Sequence, residues 1–159
     1  MRWIIAIGAL VTTVQAQELT FSVRNLSPEA SLRLAQATLS TCRAEGFQVA
    51  VAVADRSGNL QVLLRDQFAG THTVAVATDK AWTAASFRQD TLTLARETTE
   101  ASRGGQRHFA RFASVGGGIP VLAQGSLVGA IGVSGAPGGE ADHKCAAAGL
   151  AEIQSDLDF

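Results

Sequence analysis

A chain of 159 residues, 47% hydrophobic and 17% charged, is one domain's worth of globular protein; these values exclude a disordered chain and leave no room for two ordinary domains. Lysine and arginine number 13 against 14 aspartates and glutamates, so no bulk field recommends nucleic acid or an anionic membrane as a partner. The two cysteines belong to no CxxC pair, which leaves a zinc knuckle or a thioredoxin-type site without support.

The chain starts with Met1-Arg2, continues mostly apolar from Trp3 to Val14, and offers small residues for cleavage at Val14-Gln15-Ala16. This pattern predicts a cleavable secretory signal over residues 1–16, its apolar run falling short of the roughly 20 residues that a membrane anchor needs. The mature protein is therefore expected in the periplasm or secreted. In such a compartment Cys42 and Cys145 are either a bridge stapling an early helix to a late one or two buried thiols.

Residues 17–26 read as an extended arm, with Leu19, Phe21 and Val23 alternating with polar positions. Ser27-Pro28-Glu29 is a helix start, and Leu32, Ala35, Leu39 and Cys42 form an apolar stripe until Gly46 ends the helix, predicted over 28–45. The run VAVAVA from Val49 to Ala54 is a buried strand. The turn Asp55-Arg56-Ser57-Gly58-Asn59 returns it as a second strand over Leu60 to Leu64. A helix rich in alanine follows from about His72 to Phe87, its small residues suited to close packing on a sheet. Asp90-Thr91 caps a short helical piece from Leu92 to Glu97, and Thr98 to Val115 reads as mostly irregular, with Arg103, Arg107 and Arg111. A second hairpin joins Ile119 to Ala123 and Leu127 to Val133 through Gln124-Gly125-Ser126, and a last helix spans about 140–154 before a tail over 155–159. Helices between hairpins predict a single α+β domain over 27–154 with a central, mainly antiparallel sheet flanked by helices.

The glycines do not spell GxGxxG or GxxxxGK[ST], and hairpin order leaves no βαβ unit for a dinucleotide. Gly129 and Gly132 read as packing glycines, whereas Gly116 to Gly118 precede a strand where they could line a pocket. Ser134, Asp142 and His143 are close in sequence, but neighbours on a helix do not face each other, which argues against a hydrolase triad. His72, His108 and His143 match no compact zinc signature. His108 has Phe109 and Phe112 nearby and arginines at 103, 107 and 111. Imidazole for iron, aromatic faces for a macrocycle and guanidinium for carboxylates are the chemistry of a heme pocket.

The order VAVAVADRSGNLQVLLRD, DKAWTAASF, GGGIPVLAQGSLVGAIGVSGA and DHKCAAAGL, spanning roughly residues 27–153, resembles the GlcG/HbpS family (DUF336-type domain) of bacterial heme-binding proteins. The resemblance implies a central antiparallel sheet, symmetric homo-oligomers and, in exported members, heme capture, storage or sensing with a membrane sensor or transporter as partner. Other members are encoded with glycolate or propanediol metabolism. Carried over by position, the family's KA-x-TA-x-x-F element falls on Lys80, Ala81, Thr83, Ala84 and Phe87, with Lys80 and Thr83 expected at the ligand pocket and Phe87 at its wall. Its GG-x-P falls on Gly117, Gly118 and Pro120, expected at the rim. Trp82 and the arginine-rich segment depart from the family's usual pattern.

The expectation is an exported heme-binding protein with iron approached by His108, His72 or Thr83. Noncatalytic docking to a membrane sensor is a further possibility. The other alternative is action on a small hydroxy or carboxylic acid, with Arg107 or Lys80 holding the carboxylate and a histidine or Asp55 moving a proton.

Overall fold

The computed structural model describes residues 19–158; the predicted signal segment and Phe159 lie outside them. Four α-helices and four strands follow in the order α1 (Pro28–Ala44), β1 (Ala50–Asp55), β2 (Leu60–Arg65), α2 (Thr73–Phe87), α3 (Thr91–Glu97), β3 (Gly118–Ala123), β4 (Ser126–Ser134) and α4 (Gly139–Leu157), with a short 3-10 turn at Gly104–His108. Every strand pairing is antiparallel, and the sheet order is β2-β1-β4-β3. The α+β domain predicted from the element order is the one observed.

Local chemistry explains the boundaries. The Ser27 hydroxyl accepts the Ala30 N–H at 3.1 Å and Pro28 occupies the first turn of α1. The Asp90 carboxylate accepts the Thr93 N–H at 2.9 Å and so starts α3. Gln124 and Gly125 both have positive φ, 51° and 75°, and connect Ala123 to its partner Ser126 as a two-residue turn. The stripe of α1 differs from the predicted one by a residue: Leu34 is buried and Leu32 is 41% exposed, because Leu34 continues the line through Ser31, Ala35 and Thr38. The last helix absorbs most of the predicted tail, ending at Leu157.

The alternation of β1 assigns the two faces of the sheet. Val49, Val51 and Val53 join Leu34, Leu39 and Ile153 in the core beneath α1 and α4. Ala50, Ala52 and Ala54 face Ala77 and Ala81 of α2. On this second side the sheet has almost no side-chain height. Ala52 pairs with Gly132, and Gly132 pairs with Gly118, so one line across three strands carries a single methyl group. A Cβ on Gly132 would overlap the Ala77 carbonyl and come within 2.6 Å of the Ala81 nitrogen. The helix therefore rests on the backbone of β4, which is why position 132 has no room for a side chain.

Candidate functional site

The pocket expected beside α2 is filled by protein. Lys80 is buried, and its ammonium donates to the Val133 carbonyl at 2.8 Å and to Asp142 Oδ2 at 2.6 Å. Asp142 Oδ1 in turn accepts the Ala136 N–H at 2.9 Å. This joins α2 to the start of α4 past the end of β3. Burial pushes the Asp142 carboxyl up against the opposing pull of Lys80, and burial pushes Lys80 below the ordinary ammonium range against the attraction of Asp142. Gly117 and Gly118 complete the seal: a Cβ on Gly117 would lie 2.6 Å from the Val133 carbonyl and 2.9 Å from Lys80 Nζ, and one on Gly118 would overlap the Lys80 carbonyl. They are packing glycines like Gly129 and Gly132, not an open rim. Thr83 is buried too, donating to the Arg111 carbonyl at 3.2 Å and accepting the Ala113 N–H at 2.9 Å.

The arginine-rich segment folds back on α2 and α3 and spends most of its cations there. Arg107 donates to the Thr98 and Ala95 carbonyls at 3.1 and 2.9 Å, closing the end of α3. Arg103 pairs with Glu97. Arg111 holds Asp79 at 2.9 Å and lies 5.0 Å from the centre of the Trp82 ring, which gives the unusual tryptophan a cation–π partner. Phe87 packs edge-on against Phe112 at 5.0 Å. His108 stands exposed at the end of the 3-10 turn, and His72 is exposed ahead of α2. The structure therefore does not bring His108, Arg107 and Phe87 around one cavity with Lys80 and Thr83.

A different place does combine the required chemistry. A groove of about 730 Å³ runs along the free edge of β3, between α4 and the turn from α2 to α3. Ile119, Pro120 and Leu122 form one wall, and Ala147, Leu150 and Ala151 form the other. Pro120 suits this edge, because an edge strand can do without an outward N–H. His143 lines the groove. Its Nδ1 is buried without a hydrogen-bond partner and lies 3.9 Å from Asp90 Oδ1. Arg88, held in the left-handed conformation at φ 53° where α2 stops, borders the groove and also a neighbouring basic hollow that holds Arg24 and Arg56. Among the described residues neither Arg56 nor Arg88 has an acidic partner. In the sequence, His143 stands beside Asp142 on a helix with no partner in reach. The spacing 143, 147, 150, 151, 154 on one helical face was the available signal.

Cys42 and Cys145 meet where α1 crosses α4. Both are buried free thiols, and burial pushes both up.

Comparison with known proteins now places this architecture. The family model described as "Haem degrading protein HbpS-like" matches residues 26–151. The chain belongs to the HbpS-like family. A variant of Streptomyces reticuli HbpS with two glutamate-to-aspartate changes superposes on this HbpS-like chain with a TM-score of 0.80 at 36% identity, covering 92% of this chain and 98% of that one. The Klebsiella pneumoniae protein ORFY aligns with a TM-score of 0.82 at 26% identity over 91% of this chain and all of its own. PduOC, solved as a complex with heme, aligns with a TM-score of 0.73 at 27% identity, covering 81% of this chain and 95% of that one. The neighbouring structures thus include one of a protein holding heme.

Heme is a flat apolar macrocycle with an iron that takes imidazole and two carboxylates that take guanidinium. The β3–α4 groove supplies an apolar wall on each side, one imidazole and, at its border, Arg88, which has no acidic partner among the described residues, so its donor set fits the group.

Proposed function

We propose that this chain is an exported heme-binding protein that captures or holds heme outside the cytoplasm. The observation that carries the reading is the β3–α4 groove, where an apolar slot, His143 and the unpaired Arg88 occur together. Its size lies within the range of about 300–1,000 Å³ usual for small-molecule sites. Membership of the HbpS-like family and likeness to a heme-complexed protein support it. When bound, heme would supply redox and ligand-binding chemistry at its iron; the protein's own contribution is to cover the ring faces, orient the propionates and exclude water.

Export rests on the pattern of residues 1–16. A fusion of that segment to a reporter should carry it across the inner membrane, and cytoplasmic retention would remove this part of the reading. Heme binding is tested by titrating the purified protein with hemin. A saturable, stoichiometric change in the Soret band is expected, and its absence at micromolar heme with the fold intact would remove the function.

The alternative of a small-acid enzyme loses both of its carboxylate anchors, since Lys80 is committed to Asp142 and Arg107 to the end of α3.

A further inference from the structure

We propose that His143 is the residue that takes the iron, with the ring lying in the β3–α4 groove and its carboxylates turned toward Arg88 and the basic hollow beyond it. The inference rests on the heme-binding reading and assigns its site.

Three observations carry it. The first is orientation. His143 presents Nδ1 inward, buried and without a hydrogen bond, 3.9 Å from the Asp90 carboxylate. Asp90 is itself fixed, accepting from the Thr93 backbone N–H and hydroxyl, each at 2.9 Å. A metal-ligating histidine commonly turns one ring nitrogen toward a carboxylate and offers the other. Here the carboxylate faces Nδ1, which leaves Nε2 on the opposite side of the ring for iron. A modest approach of the two side chains would complete the hydrogen bond.

The second is the wall. Ala147 and Leu150 follow His143 at helical spacings of four and seven, so they continue the same face of α4. Small alanines leave depth beside the imidazole where a larger side chain would fill it. The third is charge. Arg88 is shared between the apolar groove and the hollow of about 570 Å³ that contains Arg24 and Arg56, and Leu122 borders both. The apolar slot therefore ends at guanidinium groups, the order in which a porphyrin carries its ring and its propionates.

The exposed His72 and His108 lack this setting; neither borders the groove. The test is hemin titration of the full chain and of His143→Ala, Ala147→Glu, His72→Ala and His108→Ala, read by Soret position, iron spin state and affinity. Circular dichroism and thermal unfolding check that each variant keeps its fold. The wild type is expected to bind. His143→Ala should lose at least about tenfold in affinity and show a changed iron spectrum that free imidazole restores. Ala147→Glu, at an exposed position outside the core, should weaken both hemin and iron-free protoporphyrin, while the other two histidine variants stay like wild type.

A wild type that binds no hemin overturns the functional reading and this assignment together. Wild-type binding with an unchanged His143→Ala spectrum overturns the assignment alone, as does loss of the iron signature in His72→Ala or His108→Ala. If Ala147→Glu alters only the oligomeric state and leaves heme affinity untouched, the groove is an interface between copies and the assignment fails.

Discussion

Lys80 shows how a residue that looks like a ligand-binding cation can belong to the scaffold. It stands in the middle of an alanine-rich helix, and nothing in its neighbours announces that its ammonium will reach past Gly117 to Asp142. The sequence spacing of 62 residues between the partners hides the pair. Replacing Lys80 by Met should cost about 3–5 kcal/mol in denaturant unfolding, because a buried carboxylate is left alone. The pH dependence of that loss has a definite sign. Without Lys80, burial holds the Asp142 carboxyl still further above its ordinary 3.8. A group raised in the folded state stabilises below its unfolded pKa and loses that contribution as pH rises through the folded one. The penalty of Lys80→Met should therefore be smallest near about pH 4 and grow toward neutrality; a constant penalty would mean that Asp142 is not the group responsible. The cysteines give a second prediction at this scale. If the chain is exported, the adjacent thiols of Cys42 and Cys145 should close into a bridge, passing two electrons to an oxidised dithiol partner and releasing two protons. The bridge would add roughly 4–5 kcal/mol before strain. Exported protein, denatured and alkylated, should then show no free thiol, and two free thiols would contradict it.

At the scale of elements, most of the fold was legible because the signals were local. Ser27-Pro28, the alternation in VAVAVA, the Gln124-Gly125 turn and Asp90 each act within a few residues, and each element starts within a residue or two of its expected place. What was not legible is which glycines meet another element, since that depends on pairing across strands. Gly132 packs against α2 as its place in the strand suggests, but Gly117 and Gly118, whose place before β3 suggests an open rim, are packed in the same way. Two substitutions test this. Gly132→Ala should push α2 off the sheet and destabilise by about 1–3 kcal/mol or more, the cost of overpacking. Gly149→Ala should do the same between α4 and α1, where the new methyl would overlap Thr38, including its Cα. Since backbone atoms stand in the way in both cases, neighbouring side chains cannot relieve them by changing rotamer. Thermal unfolding of either variant at wild-type temperature would show that the helices are not seated as described.

For the whole molecule, both faces of the sheet carry the scaffold and the groove lies at one edge. One face holds the aliphatic core under α1 and α4, the other holds α2 pressed against bare backbone, and the free edge of β3 leaves the groove exposed beside α4. The sequence shows imidazole, aromatic residues and arginines together only in the contiguous segment around His108. The groove assembles imidazole, apolar walls and arginine from three places, the end of α2, the edge of β3 and the middle of α4, and no spacing within a single stretch reveals that. A structure of the protein with hemin bound tests the account most directly. The account predicts a porphyrin in the groove between β3 and α4, with His143 Nε2 on the iron and propionates toward Arg88. A porphyrin held by His108 or His72, or seated away from the β3 edge, would contradict it.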